Sequence, residues 1–397
     1  MDDRRYYGLD ALRGTMMMLG IALHAAMFYL VDPPTPVPTD PNTSVVFDHL
    51  FYFIHSFRMQ AFFFLAGFFT ALLVMKRGLQ ATYRDRFKRI FVPMIVASVT
   101  ILPVTGLLMA DFLVSARFGT HHLIPDIAHL KILIQELTAN GVQVGEPTLG
   151  HLWFLEYLCI FYLLIPLCRA IVKWSLPAEE RIRRWLDSPY VLGLMSLLTS
   201  ALLWPFAGGV LVLENTLLVP HFPSLVYFGS FFVFGYMAHH YRDCLNMLAR
   251  NVFVWATFAL VLFPVARVTS LLDAGGGDIY RHVFAVLANG TCTWILIAMF
   301  VGTALRFFDR DSPWIQYLSQ AAYWVFLVHL PLVALAGWWL IQFDIPAIVK
   351  FLLNSSFATF VAFWTFQQWV QHSWVSTFLH GRQLDLQWPW QAKSLTA

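Results

Sequence analysis

Ten stretches of apolar residues recur along this 397-residue chain, most of them long enough to cross a lipid bilayer as a helix. They run over about 9–30, 49–75, 90–112, 152–173, 190–207, 222–240, 252–272, 283–305, 316–341 and 347–370. About 20 apolar residues at 1.5 Å rise each cover a hydrocarbon core. Inside lipid every backbone N–H and C=O must be paired within the segment, so each run is confined to helix. Composition closes the alternatives. Charged residues make up 12% and hydrophobic ones 58%, whereas a soluble domain carries about 25% charged residues. A chain so rich in apolar and aromatic residues is not disordered either. The fold expected is all-α: a polytopic membrane protein with about ten transmembrane helices, in one domain over 1–397 with a short tail at 371–397.

Basic residues orient the bundle. Twenty of the 26 fall on one set of helix ends, from Arg4, Arg5 and Arg13 through Lys76–Arg89 and Arg169–Arg184 to Arg382 and Lys393. The opposite set holds Arg117, Lys131, Arg267, Arg281 and Lys350. This is the positive-inside asymmetry. It places both termini in the cytoplasm and requires an even number of spans. The first run follows a basic end, as a secretory signal would, but it carries Asp10, Arg13 and His24 and is kept as a helix. The outer loops include the Pro- and Thr-rich segment 32–43, and residues 113–150 with His121, His122, His129, Glu136 and Glu146; Gly275 to Gly277 mark an outer turn. Cys159, Cys168, Cys244 and Cys292 form no CxxC pair and read as buried small hydrophobes. No metal site, no internal repeat and no basic-aromatic patch for nucleic acid stands out.

Ionisable residues within spans cost roughly 2.5–3.5 kcal/mol each on insertion scales, so they are the informative positions. His24 lies 11 residues beyond Arg13, roughly 16 Å along the helix and on the same face. Asp10 and Arg13, three apart, can pair. In the second span His55 and Arg58 share a face at roughly 10 and 15 Å depth. Arg58 keeps its charge, so it requires a carboxylate, an anionic ligand or a wet cavity. Its depth matches that of His24 on the preceding helix. Glu156, a turn or two inside the fourth span beyond His151, is the natural partner for Arg58 or for a histidine. Tyr323 and His329 occupy the ninth span. Each of these residues also has a purely structural reading, as a packing histidine or an internal ion pair. The loop KRGLQATYRDRFKRIFVP is a topology signal or lipid contact by one reading. By the other, Arg86 and Arg89, three apart where Pro93 interrupts a helix, form a phosphate site.

LDALRG before His24, HSFRMQAFFFLAGFF, RFKRIFVP, HLWFLEYL and AAYWVFLVHLPLV occur in that order. Together they resemble the acyltransferase family 3 membrane proteins over essentially the whole chain. HSFRMQ with HLWFL looks most like the branch that acylates periplasmic glucans, including the glucan succinyltransferases. The resemblance implies a bacterial inner-membrane enzyme that moves an acyl group from cytoplasmic acyl-CoA to a hydroxyl of an extracytoplasmic carbohydrate or lipid. It implies that His24 is the essential histidine, Arg13 its partner arginine, and Arg86 and Arg89 the family's Arg-x-x-Arg pattern. In such a reaction Arg58 or Arg13 would steady the developing oxyanion, or Arg58 would bind the free carboxylate if the acyl group is succinyl. Acyl-CoA is then a donor substrate, no cofactor is permanently bound, and membrane lipids are the other contact; the oligomeric state is open. A proton-coupled transporter would use the same His24, Arg58 and Glu156 cluster, and a membrane scaffold would need none of it.

Overall fold

The computed structural model describes residues 5–33, 37–120, 126–139, 148–211, 218–276 and 278–391. Arg4, His121, His122, Glu146, Gly277 and Lys393 lie outside them. Among the described residues the regular elements are helices. In chain order these are α1 (Tyr7–Ala26), α2 (Val45–His55), α3 (Arg58–Arg77), α4 (Leu79–Arg86), α5 (Val92–Phe118) and α6 (Ile127–Ala139). Next come α7 (Trp153–Tyr162), α8 (Ile165–Ser175), α9 (Glu179–Leu186), α10 (Tyr190–Leu203), α11 (Phe222–His240) and α12 (Asp243–Arg250). The last are α13 (Val252–Ala274), α14 (Ile279–Phe307), α15 (Pro313–Leu340), α16 (Ala347–Thr365) and α17 (Trp374–His380).

Every apolar run coincides with one of these helices or a pair of them. Seven segments are long and apolar enough to cross a membrane: Tyr7–Tyr29, Val45–Arg77, Leu79–Phe118, Val252–Ala274, Ile279–Phe307, Pro313–Leu340 and Ala347–Val370. Gly150–Tyr162 and Ile165–Leu186, bent by 51°, make an eighth if they form one broken span. The remaining two runs are the shorter α10 and the less apolar α11. The chain is therefore a multi-pass membrane protein. The outer segment expected to be a plain loop after residue 112 instead begins as helix, because α5 continues to Phe118, and it also contains α6.

Centre and rim differ as the apolar pattern requires. The Val45–Arg77, Ile279–Phe307 and Pro313–Leu340 segments are 67%, 61% and 61% buried, and Tyr7–Tyr29 is 56% buried. Leu79–Phe118 and Val252–Ala274 are only 22% buried. Leu107 on α5, Leu260 on α13 and Phe360 on α16 stand exposed, the apolar surface that lipid covers. α1 packs against α14 and α15, and α3 against α11. The α3–α11 crossing depends on glycine. A Cβ at Gly67 would lie 1.9 Å from the Phe232 carbonyl oxygen, and one at Gly235 would lie 1.8 Å from that of Phe64. Paired small residues let the two backbones touch, which is how helices gain contact where lipid supplies no hydrophobic drive.

Two local irregularities matter for the site. The second span is not one continuous helix: it breaks at Ser56 and Phe57, between His55 and Arg58. Ser56 Oγ donates to the Tyr52 carbonyl at 2.7 Å, and Thr293 Oγ1 donates to the Ser56 carbonyl at 2.9 Å, so the opened turn is satisfied. The expected interruption at Pro93 is also corrected. The chain stays helical through it by a π turn at Phe87–Phe91, with Val92 N–H bonding the Phe87 carbonyl. The wider turn accommodates a proline that has no N–H and would crowd the carbonyl four residues back. Lys350 and Asp40, both almost fully buried, pair at 2.6 and 2.9 Å and pin the Pro-rich loop to α16. All four cysteines are free; Cys168 and Cys292 are buried as expected, whereas Cys159 and Cys244 are half-buried.

Candidate functional site

Two cavities lie along one face of α1. The larger, about 550 Å³, is lined by Arg13, Arg77, Arg86, Arg89 and Arg382, with Ser319, Tyr323 and His380. The other, about 360 Å³, is lined by His24, His55, Arg58, His151 and His329 among apolar residues. Met17, Phe62 and Phe154 line both and form the wall between them. Arg13, Met17, Gly20 and His24 recur at helical spacing, so one stripe of α1 runs from the first cavity into the second. The predicted common face of Arg13 and His24 is present, with the two residues opening into different chambers.

The first cavity is a cluster of guanidiniums held by few carboxylates. Asp10 pairs with Arg13 at 3.1 Å and with Arg5 at 3.2 Å. Arg13 also donates to Ser319 Oγ at 2.6 Å. Asp85 reaches Arg89 at 3.2 Å, Arg77 at 3.7 Å and Arg86 at 3.9 Å. Arg86 and Arg89 do face one cavity, although each shares Asp85. Arg86 lies over the Tyr162 ring at 5.6 Å and Arg13 over Phe69 at 5.2 Å. Such cation–π seats hold a guanidinium without consuming its N–H donors. The Tyr323 hydroxyl is buried here without a hydrogen-bond partner.

The second cavity inverts that balance. Arg58 makes no ion pair among the described residues; its one polar contact is Met59 Sδ at 3.3 Å. Gly20 makes room for it, since a Cβ there would lie 2.9 Å from Arg58 Nη1 and 3.5 Å from His329 Nε2. Three imidazoles meet beside it. The His24 and His329 ring centroids are 5.2 Å apart, and those of His329 and His151 5.4 Å. His329 Nδ1–H donates to the Phe326 carbonyl at 2.7 Å, and His151 Nε2–H donates to the Leu327 carbonyl at 3.2 Å. A carbonyl only accepts, so these bonds assign each tautomer. They leave His329 Nε2 and His151 Nδ1 as buried acceptors without a protein partner. His24 Nδ1 touches Met27 Sδ at 3.3 Å, and His55 stacks on Phe51 at 5.3 Å.

Glu156 does not join this group. It lines neither cavity and makes no ion pair with Arg58, and its buried Oε2 has no partner. The helical position of Glu156 on α7 turns it away, while His151 and Phe154 face the inner chamber. Sequence reading also missed Asp85, Arg77, Arg382 and the Met17–Phe62–Phe154 wall. Asp85 alone left a local signal, four residues before Arg89. Among the described residues no group of three or more His, Cys, Asp or Glu is arranged to hold a metal ion.

A family model described as an acyltransferase domain matches residues 6–367. The chain is 24% identical over 352 residues to glucans biosynthesis protein C of Escherichia coli (strain SMS-3-5 / SECEC), covering 84% of this chain and 83% of that protein. The same figures hold for the protein of that name in Shigella dysenteriae serotype 1 (strain Sd197). The Escherichia coli O1:K1 / APEC protein is 25% identical over 354 residues, with the same coverage. No solved structure matches the chain.

Proposed function

This chain belongs to the acyltransferase domain family and is a multi-pass membrane acyltransferase, and we propose that it moves an acyl group from cytoplasmic acyl-CoA to a hydroxyl of a periplasmic glucan. The arrangement that carries this reading is the pair of cavities, one rich in guanidiniums and the other in imidazoles around an arginine without an ion pair among the described residues. The diphosphate and phosphate groups of CoA suit Arg86, Arg89 and Arg13, because charge-assisted bonds to phosphate are strong and directional. The pantetheine arm would pass the Met17–Phe62–Phe154 wall and bring the thioester to His24. The glucan acceptor is carried over from the relatives' name.

In the reaction the acceptor hydroxyl oxygen attacks the thioester carbonyl carbon while His24 takes its proton. The carbonyl oxygen gains negative charge, and Arg58 stabilises it. Collapse expels the CoA thiolate, which receives the proton from His24. An imidazole suits both transfers, since its ordinary pKa lies near working pH. A fixed cation in a water-poor chamber is worth more to an oxyanion than it would be in bulk water. If the acyl group is succinyl, Arg58 serves its free carboxylate instead. An acyl-His24 intermediate uses the same groups. His55, His151, Tyr323 and His329 shape the chambers. Glu156 takes no part in this scheme, and a transporter reading would likewise have only His24 and Arg58 of its three residues in one cavity.

The scheme requires ten spans, with the α7–α8 pair, α10 and α11 each crossing once, both termini cytoplasmic, and a place in the bacterial inner membrane. Reporter fusions after residues 40, 130 and 275 are expected to read periplasmic, and those after 80, 180 and the C-terminus cytoplasmic. Opposite readings at any pair would overturn this topology. Membranes containing the protein, given a panel of radiolabelled acyl-CoAs, are expected to transfer label to added glucan. Labelled glucan in no arm of the panel would remove the proposal.

A further inference from the structure

The family match ends at residue 367, yet the chain beyond it stays on the bundle. Gln371 receives the Leu384 N–H on its backbone carbonyl at 2.9 Å and the Leu386 N–H on its side chain at 3.1 Å. Ser376 Oγ donates to the Arg382 carbonyl at 3.1 Å, and the His380 ring donates to the Gln320 carbonyl of α15 at 2.9 Å. Leu384 is buried. These bonds fold the expected loose tail back on α17 and hold its end at the mouth of the guanidinium cavity.

Two residues of that end face the cavity. Gly381 closes α17 in the left-handed region, with φ of +77°, its N–H bonding the Thr377 carbonyl at 2.8 Å. A Cβ on Gly381 would lie 2.2 Å from Arg89 Nη2 and 2.8 Å from Arg89 Cζ. Both the backbone and the contact therefore call for glycine. Arg382 follows on the cavity lining, with no carboxylate partner among the described residues. By contrast Arg13, Arg77, Arg86 and Arg89 all share Asp10 or Asp85.

We propose that the turn after α17 is the outer wall of the donor cavity: Gly381 positions the Arg89 guanidinium, and Arg382 adds an uncompensated charge for the donor's phosphates. The proposal rests on the reading that this cavity takes acyl-CoA. It extends the site past the matched family region to a segment that composition marked only as a tail. Arg382 is exposed and its main chain carries the anchoring bond, so its side chain can be removed without disturbing the turn.

The test measures CoA binding and steady-state transfer for the full-length parent, Arg382→Ala, Gly381→Ala, Arg89→Ala and Gly381→Ala combined with Arg89→Ala. Arg382→Ala is expected to weaken CoA binding about tenfold and raise the acyl-CoA KM to match. Its kcat and acceptor KM should stay near the parent's. Gly381→Ala is expected to raise the donor KM, and to raise it by less once Arg89 is alanine, because the part of its effect that acts through that side chain is then gone and only the backbone strain remains. The proposal is overturned if the parent binds CoA and Arg382→Ala binds it equally well, or if Gly381→Ala keeps its full effect beside Arg89→Ala. A parent that binds no CoA overturns the acyl-CoA reading itself, and this wall with it.

Discussion

The two cavities on the α1 stripe are built on opposite plans. The guanidinium cavity gathers five arginines, four of which share Asp10 or Asp85, while Arg13 and Arg86 rest on aromatic rings. The imidazole cavity holds a single guanidinium and several flat rings, with no carboxylate in its lining. The difference teaches what each can do. A shared, partly solvated cluster gains modestly from any one ion pair, and it suits a polyanion that must bind and leave. A lone cation in an apolar chamber pays a large desolvation cost, which is recovered only when negative charge forms beside it. Under the proposed function the guanidinium chamber serves binding, and the imidazole chamber serves to stabilise a charge that appears during reaction.

Substitutions can break or sharpen that contrast. The largest effect is expected at His24. His24→Ala should lose on the order of 10²–10⁴ in turnover per folded molecule while CoA binding persists. Near-parental turnover would end its role as base and point to His329, whose Nε2 is already free to accept. Next is Arg58→Gln, which should lower kcat by roughly 10²–10³, the usual cost of removing one oxyanion donor. A rise in donor KM with kcat unchanged would make Arg58 a binding residue and erase the distinction between the chambers.

The guanidinium chamber predicts the reverse split. Arg86→Ala with Arg89→Ala should weaken CoA binding by roughly 10- to 100-fold, two charge-assisted contacts being lost, with folding intact because both sit at the solvated end. Unchanged affinity, read by titration in detergent, would remove these residues from the donor site. The smallest effect belongs to the wall. Met17→Phe should narrow the passage and change selectivity between acyl donors by roughly tenfold per methylene, leaving CoA itself bound as before. Equal use of short and long acyl-CoAs by parent and variant would show that the wall does not read the acyl group.

The sequence by itself determined whatever follows from local periodicity. Apolar runs had to be helices because lipid offers the backbone no other partner. Arg13 and His24 had to share a face because eleven residues make nearly three turns. A charge at Arg58 deep in an apolar run, in need of a carboxylate, an anionic ligand or a wet cavity, was legible from its depth, as was the pairing of Asp10 with Arg13 from their spacing. Tertiary structure decided the rest. Glu156 seemed a fit partner for Arg58 by depth, but rotation about α7 sends it elsewhere, and depth says nothing about azimuth on a neighbouring helix. The wall of Met17, Phe62 and Phe154 unites α1, α3 and α7, three helices far apart in the chain. Arg382 joins Arg89 on one cavity lining across some 290 residues of chain because Gln371, Ser376 and Gln320 fold the C-terminal turn back. Helical spacing acts over a few residues, whereas apposition between helices is set by packing of surfaces that no local pattern encodes.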